Sequence, residues 1–484
     1  MSLPLNHAKL RRTKIVCTIG PATNSASMIE KLAKAGMDCA RLNFSHGKHS
    51  DHLRLINLIR RVSKKVGKQI AVMQDLPGPK LRVGRLKNGS VHLRKGSVLS
   101  LTTEDIVGDE KRIPVRHNDL PRYIPNSAAV FLSDGSVRLK VLGTDSTEIR
   151  CRCESGGELL SGKGMNIPHL KHEFETFTGL DKQHLEFGLK NDVDLVAISF
   201  VRNDDDIKKV RKFIGKKKRN GGDRPSIIAK IEKKDAVENI EDIVRASDAV
   251  MVARGDLGVE NPVEQVPIIQ KSIISHCNRM AVPVITATQM LESMVNNSRP
   301  TRAEVTDIAT AIFDGTDAVM LSEETAVGKH PAECVNVLHR VSLTTEGTML
   351  ANAKHAVQSD LLHEDIGDAT SEAANQISID IGAKLLVSPT NSGYMAAKIS
   401  RFRPRAPVIA LTDNPKMLRR LMICWGVYPI QIRRTDDLTG LLDVSLSTLA
   451  REKLVKRGEK MVIVCDGVRL SREIGTLLFV VECR

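Results

Sequence analysis

Two carboxylates and a lysine lie at the ends of two neighbouring apolar segments of the chain. Lys230 and Glu232 fall at the end of segment 227–231, and Asp256 follows segment 249–253. Two carboxylates on adjacent strands suit a small divalent cation, which completes its octahedron with water and substrate oxygens. A lysine beside such a cation suits the negative charge of a phosphoryl group in transfer. The two carboxylates are also typical of solvated or helix-capping groups, and the lysine is also typical of an ordinary ion pair. A catalytic interpretation therefore needs further groups at the same place.

Groups that bind anions lie at or near the ends of other apolar segments. Arg41 and Arg82 carry guanidinium groups, which fit a phosphate better than lysines do. The amide of Gly255 allows a substrate carboxylate to approach the backbone closely. Thr288 is predicted to open a helix whose hydroxyls and amides hold an anion. Each arginine alone also suits an ion pair, but the set as a whole predicts a phosphorylated carboxylate as the substrate.

Eight short apolar segments with helical patterns between them set the positions of these groups. The segments span residues 15–19, 40–44, 71–74, 195–200, 227–231, 249–253, 284–287 and 318–321. Eight apolar strands with intervening helices predict a parallel (β/α)8 TIM barrel, in which functional groups gather at the C-terminal ends of the strands. We call this end the barrel mouth.

Two further regions interrupt or follow this pattern. The third and fourth segments are too far apart for one strand–helix unit, and the short alternating segments between them predict an inserted small β-barrel lid domain. From about residue 345, helices alternate with five apolar segments, which predicts an open α/β sheet that forms a third domain. The predicted domains are the barrel over 1–79 and 177–344, the lid over 80–176 and the C-terminal α/β domain over 345–484.

Composition and charge narrow the class of protein. The chain has 484 residues, a net charge of +15 and an aromatic content of only 3%. The charge suits anionic substrates, and the scarcity of aromatics argues against stacking on single-stranded nucleic acid. The nine cysteines include no CxxC pair, which favours a reducing compartment. Because residues 1–14 lack a signal-peptide pattern and no apolar stretch is long enough to span a membrane, we predict a cytoplasmic protein.

An anion site is predicted in the C-terminal region. Thr390, Asn391, Ser392 and Gly393 follow one apolar segment and precede a helix that begins near Tyr394. Hydroxyls and free amides at such a position bind phosphates, which would make this the site of a phosphorylated allosteric effector. The pattern is equally that of a plain helix cap, and both interpretations stay open.

Seven segments of the chain together resemble the pyruvate kinase family. They span residues 14–22 (KIVCTIGPA), 41–47 (RLNFSHG), 163–168 (KGMNIP), 229–232 (AKIE), 251–258 (MVARGDLG), 287–294 (ATQMLESM) and 299–307 (RPTRAEVTD). The resemblance implies a barrel with an inserted β lid and a C-terminal α/β domain. It implies transfer of the phosphoryl group of phosphoenolpyruvate to ADP, giving ATP and pyruvate in the last step of glycolysis. It also implies a homotetramer, with oligomer contacts through the barrel and the C-terminal α/β domain.

The resemblance further implies roles for individual residues. Those implied in catalysis are Lys230, Arg41, Arg82, Thr288 and Ser322, with Thr288 and Ser322 on a proton path to the enolate. Those implied to hold the substrate are Arg41, Gly255, Asp256 and Thr288. Those implied to contact the nucleotide are Asn43, His46, Arg82 and Lys163. Those implied to bind Mg²⁺ or Mn²⁺ are Glu232 and Asp256.

One departure from the family pattern bears on the monovalent cation. Many members need K⁺, whose ligands map to Asn43, Ser45, Asp75 and the carbonyl of Leu76. The familiar Asp-Thr-Lys-Gly-Pro-Glu reads Asp-Leu-Pro-Gly-Pro-Lys here, so that Lys80 replaces an acidic residue. An ammonium at this position supplies the charge that K⁺ brings and repels an added K⁺. We therefore predict that K⁺ is not required.

Two other functions compete with this interpretation. A metal-dependent aldolase or lyase of the barrel class would use the carboxylates and an arginine, but not the lid or Lys163. A nucleic-acid-binding role would require a continuous basic face and steep salt dependence. Turnover that depends on ADP would distinguish the kinase from the aldolase or lyase. We expect neither a membrane nor a nucleic-acid partner.

Overall fold

The chain begins with three strands and two amphipathic helices that start the barrel. They are β1 (Lys14–Thr18), α1 (Ala26–Ala35), β2 (Cys39–Asn43), α2 (His49–Val66) and β3 (Ala71–Asp75). Ser25 caps α1 by accepting a hydrogen bond from the amide of Met28, and Gly67 ends α2 in the left-handed region at φ 68°. The structure is a computed structural model that describes residues 10–117, 119–133, 135–168, 175–217, 223–352, 365–435, 437–470 and 473–483.

The segment between β3 and the next barrel strand forms separate sheets. Its elements are β4 (Leu81–Arg82), β5 (Ser90–Leu93), β6 (Val98–Thr102), β7 (Arg112–Pro114), α3 (Leu120–Tyr123), β8 (Ala129–Leu132), β9 (Val137–Thr144), β10 (Glu148–Ser155), β11 (Gly157–Leu160) and β12 (Gly164–Asn166). Seven of the strands form one sheet in the order β4-β12-β8-β9-β10-β6-β7, and β5 pairs with β11. Burial alternates along β9 and β10, as expected for strands with one face on a core. The first and last strands, β4 and β12, pair with each other and connect this region to the barrel.

The remaining barrel strands alternate with helices. They are α4 (Gly179–Lys190), β13 (Leu195–Ile198), α5 (Asp204–Lys217), β14 (Ser226–Ile231), α6 (Lys234–Glu238), α7 (Ile240–Ala246), β15 (Ala249–Ala253), α8 (Arg254–Glu260), α9 (Val266–Arg279), β16 (Val284–Ala287), α10 (Arg302–Phe313), β17 (Ala318–Leu321), α11 (Glu323–Ala326) and α12 (Pro331–Asn352). The eight strands close a parallel barrel in the order β1-β17-β16-β15-β14-β13-β3-β2. This confirms the predicted fold class.

The C-terminal region forms a five-stranded sheet with helices. Its elements are α13 (Ile366–Asp380), β18 (Leu385–Pro389), α14 (Tyr394–Ser400), β19 (Val408–Thr412), α15 (Pro415–Arg420), β20 (Val427–Gln431), α16 (Leu438–Arg451), β21 (Lys460–Leu470) and β22 (Glu473–Glu482). The strand order is β20-β19-β18-β21-β22, with only the β21–β22 pair antiparallel. An open α/β sheet is what the sequence predicts for this region.

Buried ion pairs fasten the C-terminal sheet to the barrel. Arg403 donates to Asp317, which precedes β17, at 2.9 Å. Arg419 donates to Asp194, which precedes β13, at 2.7 Å. Both carboxylates lie at the N-terminal ends of barrel strands, so the C-terminal region docks opposite the barrel mouth. Among the described residues, no helix combines the length and apolar character needed to cross a membrane.

Candidate active site

Lys230 lies at the centre of the charged groups at the barrel mouth. Its Nζ donates to Ser199 Oγ at 2.8 Å and contacts Glu232 at 2.9 Å and Asp75 at 3.3 Å. Burial would lower the pKa of Lys230, but the Asp75 and Glu232 carboxylates outweigh it and leave that pKa raised. The ammonium is therefore charged at every physiological pH, which suits contact with a phosphoryl group. The ion-pair interpretation also holds, since both carboxylates pair with this lysine.

Asp75 links Lys230 to Arg41. Arg41 Nε donates to Asp75 Oδ2 at 2.7 Å, and Arg41 Nη1 donates to Thr18 Oγ1 at 2.9 Å. Burial opposes ionisation of Asp75, yet Lys230 and Arg41 hold its pKa below the usual value. One buried carboxylate thus fixes two cationic side chains from different strands at one place. Thr18 and Ser199 belong to this set, although nothing in the sequence singled them out.

The two candidate metal ligands follow strands that pair with each other. Ile231 at the end of β14 lies in register with Val252 of β15, so that Glu232 and Asp256 follow neighbouring strands. The pKa of Glu232 is raised by burial and by the charge of Asp256, despite Lys230. Burial and the charge of Asp256 both oppose ionisation of Glu232, so a cation bound between the two carboxylates would stabilise their ionised forms. No group of three or more His, Cys, Asp or Glu side chains placed to hold a metal occurs within the described ranges. The two carboxylates alone fit Mg²⁺, which takes its other ligands from water and substrate.

Residues from the inserted region reach Asp256. Lys80 Nζ lies 3.0 Å from Asp256 Oδ1 and 3.4 Å from Oδ2, and Asn166 Nδ2 lies 3.3 Å from Oδ1. Burial would raise the pKa of Asp256, but Lys80 and Lys230 hold it below the usual value. Lys80 precedes β4 and Asn166 ends β12, so both connecting strands of the inserted region lie against the barrel mouth.

The prediction that Thr288 opens a helix is wrong. Thr288 and Gln289 have φ angles of +69° and +55°, and the next full helix, α10, begins at Arg302. Arg254 holds this left-handed turn by donating to the carbonyls of Ala287 and Thr288, while it also pairs with Asp307. Thr288 still reaches the site, since its Oγ1 accepts a hydrogen bond from the amide of Gly255 at 3.3 Å.

The basic residues expected to contact a nucleotide act electrostatically on His46. The pKa of His46 is lowered by its partial burial and by the positive charges of Arg82, Arg41 and Lys163. Arg82 Nη1 donates to the carbonyl of Gly162, beside Lys163. Ser322, the other predicted catalytic hydroxyl, follows β17 and donates its amide to Glu324 at 2.6 Å.

Three of the four expected K⁺ ligands, Asn43, Asp75 and the carbonyl of Leu76, have oxygens that are engaged with protein groups. Asn43 Oδ1 accepts from the amide of Ser45 at 3.1 Å, and the carbonyl of Leu76 accepts from Ser199 at 2.7 Å. Both Asp75 oxygens pair with cations, as described above. The ammonium of Lys80 bonds to Asp256 rather than to any of these oxygens.

The loop predicted as an anion site is divided between two cavities. Thr390 and Asn391 border a cavity of about 660 Å³, whereas Ser392 and Gly393 border a separate cavity of about 280 Å³. Thr390 Oγ1 accepts from the amide of Gly393 at 2.8 Å, a hydrogen bond within the loop; Gly393 is itself the N-cap of α14 and provides no side-chain cap. Arg433 and Arg434 line the 660 Å³ cavity together with the carboxylates of Asp413, Asp437 and Asp466, so its lining carries both signs of charge.

Together, the closed parallel barrel and the charged groups at its mouth define an enzyme of the (β/α)8 class. Family models match residues 10–335 as the pyruvate kinase barrel domain and residues 368–477 as the pyruvate kinase alpha/beta domain. The pyruvate kinase of Geobacillus stearothermophilus is 40% identical over 98% of this chain and 80% of its own length. That of Thermococcus litoralis is 40% identical over 96% of this chain and 97% of its own length.

The fold agrees with a solved member of the same group. The crystal structure of a pyruvate kinase from Cryptosporidium parvum superposes with a TM-score of 0.89, at 35% identity, over 99% of this chain and 97% of that one. The chain therefore belongs to the pyruvate kinase family, and it is a phosphotransferase.

Proposed function

We propose that this protein transfers the phosphoryl group of phosphoenolpyruvate to ADP with Mg²⁺ or Mn²⁺ and without K⁺. In this reaction the bond between phosphorus and the enol oxygen breaks, and a bond to a terminal oxygen of ADP forms. The enolate that remains takes a proton at carbon and becomes pyruvate. The observation that carries the proposal is the position of Lys230, a permanently charged ammonium held between two carboxylates at the barrel mouth.

The protein's own groups divide the work of this reaction. Lys230 and Arg41 stabilise the negative charge of the phosphoryl group, and Asp75 fixes both cations in place. Glu232 and Asp256 hold the divalent cation, which acts as a Lewis acid on substrate oxygens when bound. Gly255, Asp256 and Thr288 hold the carboxylate of the substrate.

The remaining roles concern the nucleotide and the proton. Asn43, His46, Arg82 and Lys163 contact ADP, supported by the cluster of basic charge around His46. Thr288 and Ser322 serve the proton transfer to the enolate. The region 80–176 acts as a lid, the barrel comprises 1–79 and 177–344, and 345–484 forms the third domain. The lid excludes water that would otherwise hydrolyse the phosphoryl group.

Independence of K⁺ is supported by charges already in place. The oxygens of Asn43, Asp75 and Leu76 have protein partners, and Lys80 adds an ammonium at the mouth. An additional K⁺ would meet these cations at short range and be repelled.

The experiment measures ATP formation from phosphoenolpyruvate and ADP with Mg²⁺, with tetramethylammonium as the monovalent cation and then with added K⁺. We expect the wild type to change by less than about twofold and Lys80→Glu to gain about tenfold with K⁺, the effect of roughly 1.4 kcal/mol of electrostatic stabilisation. Lys80→Arg keeps the charge and should behave as the wild type. If wild-type turnover collapses without K⁺, the proposed independence of K⁺ is wrong. An absence of turnover in every buffer favours the lyase alternative.

We also propose a homotetramer, a cytoplasmic location and a phosphorylated effector bound in the cavity beside the Thr390 loop. Arg433 and Arg434 supply guanidinium groups for the phosphates of such a ligand, whereas Asp413, Asp437 and Asp466 in the same lining oppose its binding. Calorimetric titration with a sugar bisphosphate and with a nucleotide monophosphate tests the site. No heat of binding and unchanged kinetics with both ligands would leave the loop as a helix cap.

A further inference from the structure

Lys80 covers the carboxylate of Asp256 on both oxygens. Its Nζ lies 3.0 Å from one oxygen and 3.4 Å from the other, and each side chain is only 20% exposed. Asn166 donates to Oδ1 as well, at 3.3 Å. Two side chains of the inserted region therefore occupy acceptor positions of a proposed metal ligand.

Resting on the proposed role of Asp256 as a divalent-cation ligand, we propose that Lys80 competes with that cation for Asp256. An ammonium and a divalent cation that share one carboxylate repel each other, and partial burial strengthens the repulsion. Binding of the cation then displaces Lys80 from Asp256.

Displacement of Lys80 would act on the two strands that connect the lid to the barrel. Lys80 immediately precedes β4, and β4 pairs with β12 through Arg82 and Gly164. A Cβ on Gly164 would lie 2.7 Å from Cε of Lys80, so the stem of the lysine packs tightly on the backbone of β12. Movement of this stem changes the packing of both strands that connect the lid to the barrel. Binding of the cation is thus coupled to the lid connection.

The affinity for Mn²⁺, measured by electron paramagnetic resonance in the absence of substrates, tests the competition. We expect Lys80→Met to bind Mn²⁺ about tenfold more tightly than the wild type, which corresponds to roughly 1.4 kcal/mol. Lys80→Arg keeps the charge and should bind as the wild type does. Lys140→Met removes a charge from an exposed position on the lid strand β9 and serves as the matched control. Unchanged or weaker Mn²⁺ binding in Lys80→Met would overturn the inference.

Two further measurements separate this inference from the proposed function. Asp256→Asn should abolish the tight Mn²⁺ site; if it does not, the assignment of the ligand fails. Wild-type protein that binds Mn²⁺ tightly but makes no ATP overturns the proposed reaction and leaves the competition intact.

Hydrogen exchange tests the coupling to the lid without using activity. In the wild type, Mn²⁺ should speed exchange of the amides that pair β4 with β12. In Lys80→Met these amides should already exchange rapidly and respond little to Mn²⁺. Wild-type exchange that ignores Mn²⁺ would overturn the coupling.

Discussion

Replacement of Lys230 with methionine removes the positive charge at the centre of the site and keeps most of the side-chain volume. The side chain is 11% exposed and contacts Asp75, Glu232 and Ser199. If Lys230 stabilises the phosphoryl group in transfer, its loss removes an interaction made mainly in the transition state. We expect kcat to fall by about 10²–10³-fold, the usual effect of deleting one such group.

The same substitution should weaken the barrel. Removing one partner of a buried ion pair costs about 3–5 kcal/mol. The lower figure applies here because Asp75 keeps Arg41 as a partner. At roughly 2–4 °C per kcal/mol, a loss near 3 kcal/mol lowers the melting temperature by about 6–12 °C. Glu232 loses its only cationic partner among the described ion pairs, so its already raised pKa should rise further.

The pH dependence of this destabilisation has a defined sign. The pKa of Asp75 is lowered in the folded protein, so its stabilisation is present above about pH 4 and is lost as the pH falls. The pKa of Lys230 is raised, so its stabilisation is present below about pH 10 and is lost above. The difference between variant and wild type should therefore be full from roughly pH 5 to 9 and shrink towards acid.

Steady-state kinetics and thermal melting across this pH range provide the measurement. Lys234→Met removes an exposed lysine from the adjacent helix and serves as the control; within the described part of the chain its one ion pair is with Glu238. A fall in kcat of less than tenfold would refute the proposed role of Lys230. A melting temperature equal to that of the wild type at neutral pH would refute the stability argument.

Two further predictions concern other parts of the chain. The pKa of His184 is lowered to about 4 by burial and by His49 and His52. Because a free histidine titrates near pH 6.5, the unfolded state takes up this proton first and stability falls as the pH drops from about 6.5 to 4. In His184→Phe the melting temperature should therefore depend less on pH between about 4 and 6.5 than in the wild type. A slope equal to that of the wild type would contradict the role of His184. Arg403→Met removes the cationic partner of the buried Asp317 carboxylate. It should lower the free energy of unfolding by about 3–5 kcal/mol. Calorimetry should show the C-terminal domain melting earlier, and an unaltered thermogram would contradict the docking argument.

The barrel could be predicted because most residues of its strands are apolar and buried, and the polar ones gather mainly at the strand ends. A fully buried run such as Ala249–Ala253, repeated eight times with helical patterns between, is typical of a parallel sheet. The bounds were less predictable. The fourth segment was expected to continue to Phe200, but β13 ends at Ile198 and Phe200 has a φ of +57°. Nothing in that residue type indicates a left-handed backbone.

The residues of the site could be named from the sequence, but not their partners. Lys230 and Asp75 lie 155 positions apart, and only barrel closure brings them together. The turn at Thr288 was misjudged because a distant side chain, Arg254, determines its conformation. Lys80 was expected to supply charge at the K⁺ site, whereas its contact with Asp256 follows from the way the inserted region folds back over the mouth.

The position of the inserted region also has a consequence for synthesis of the chain on the ribosome. Val72 of β3 bonds to Asp194, which lies 122 residues further along the chain. At about 5–20 residues per second, β3 must wait roughly 6–24 s for the strand that covers its edge. The inserted sheets carry a hydrophobic core of their own and emerge during exactly this interval. The nascent chain therefore completes a unit with its own core while the three barrel strands already made still have two open edges, at β1 and at β3. Chaperone binding has most to protect at this stage.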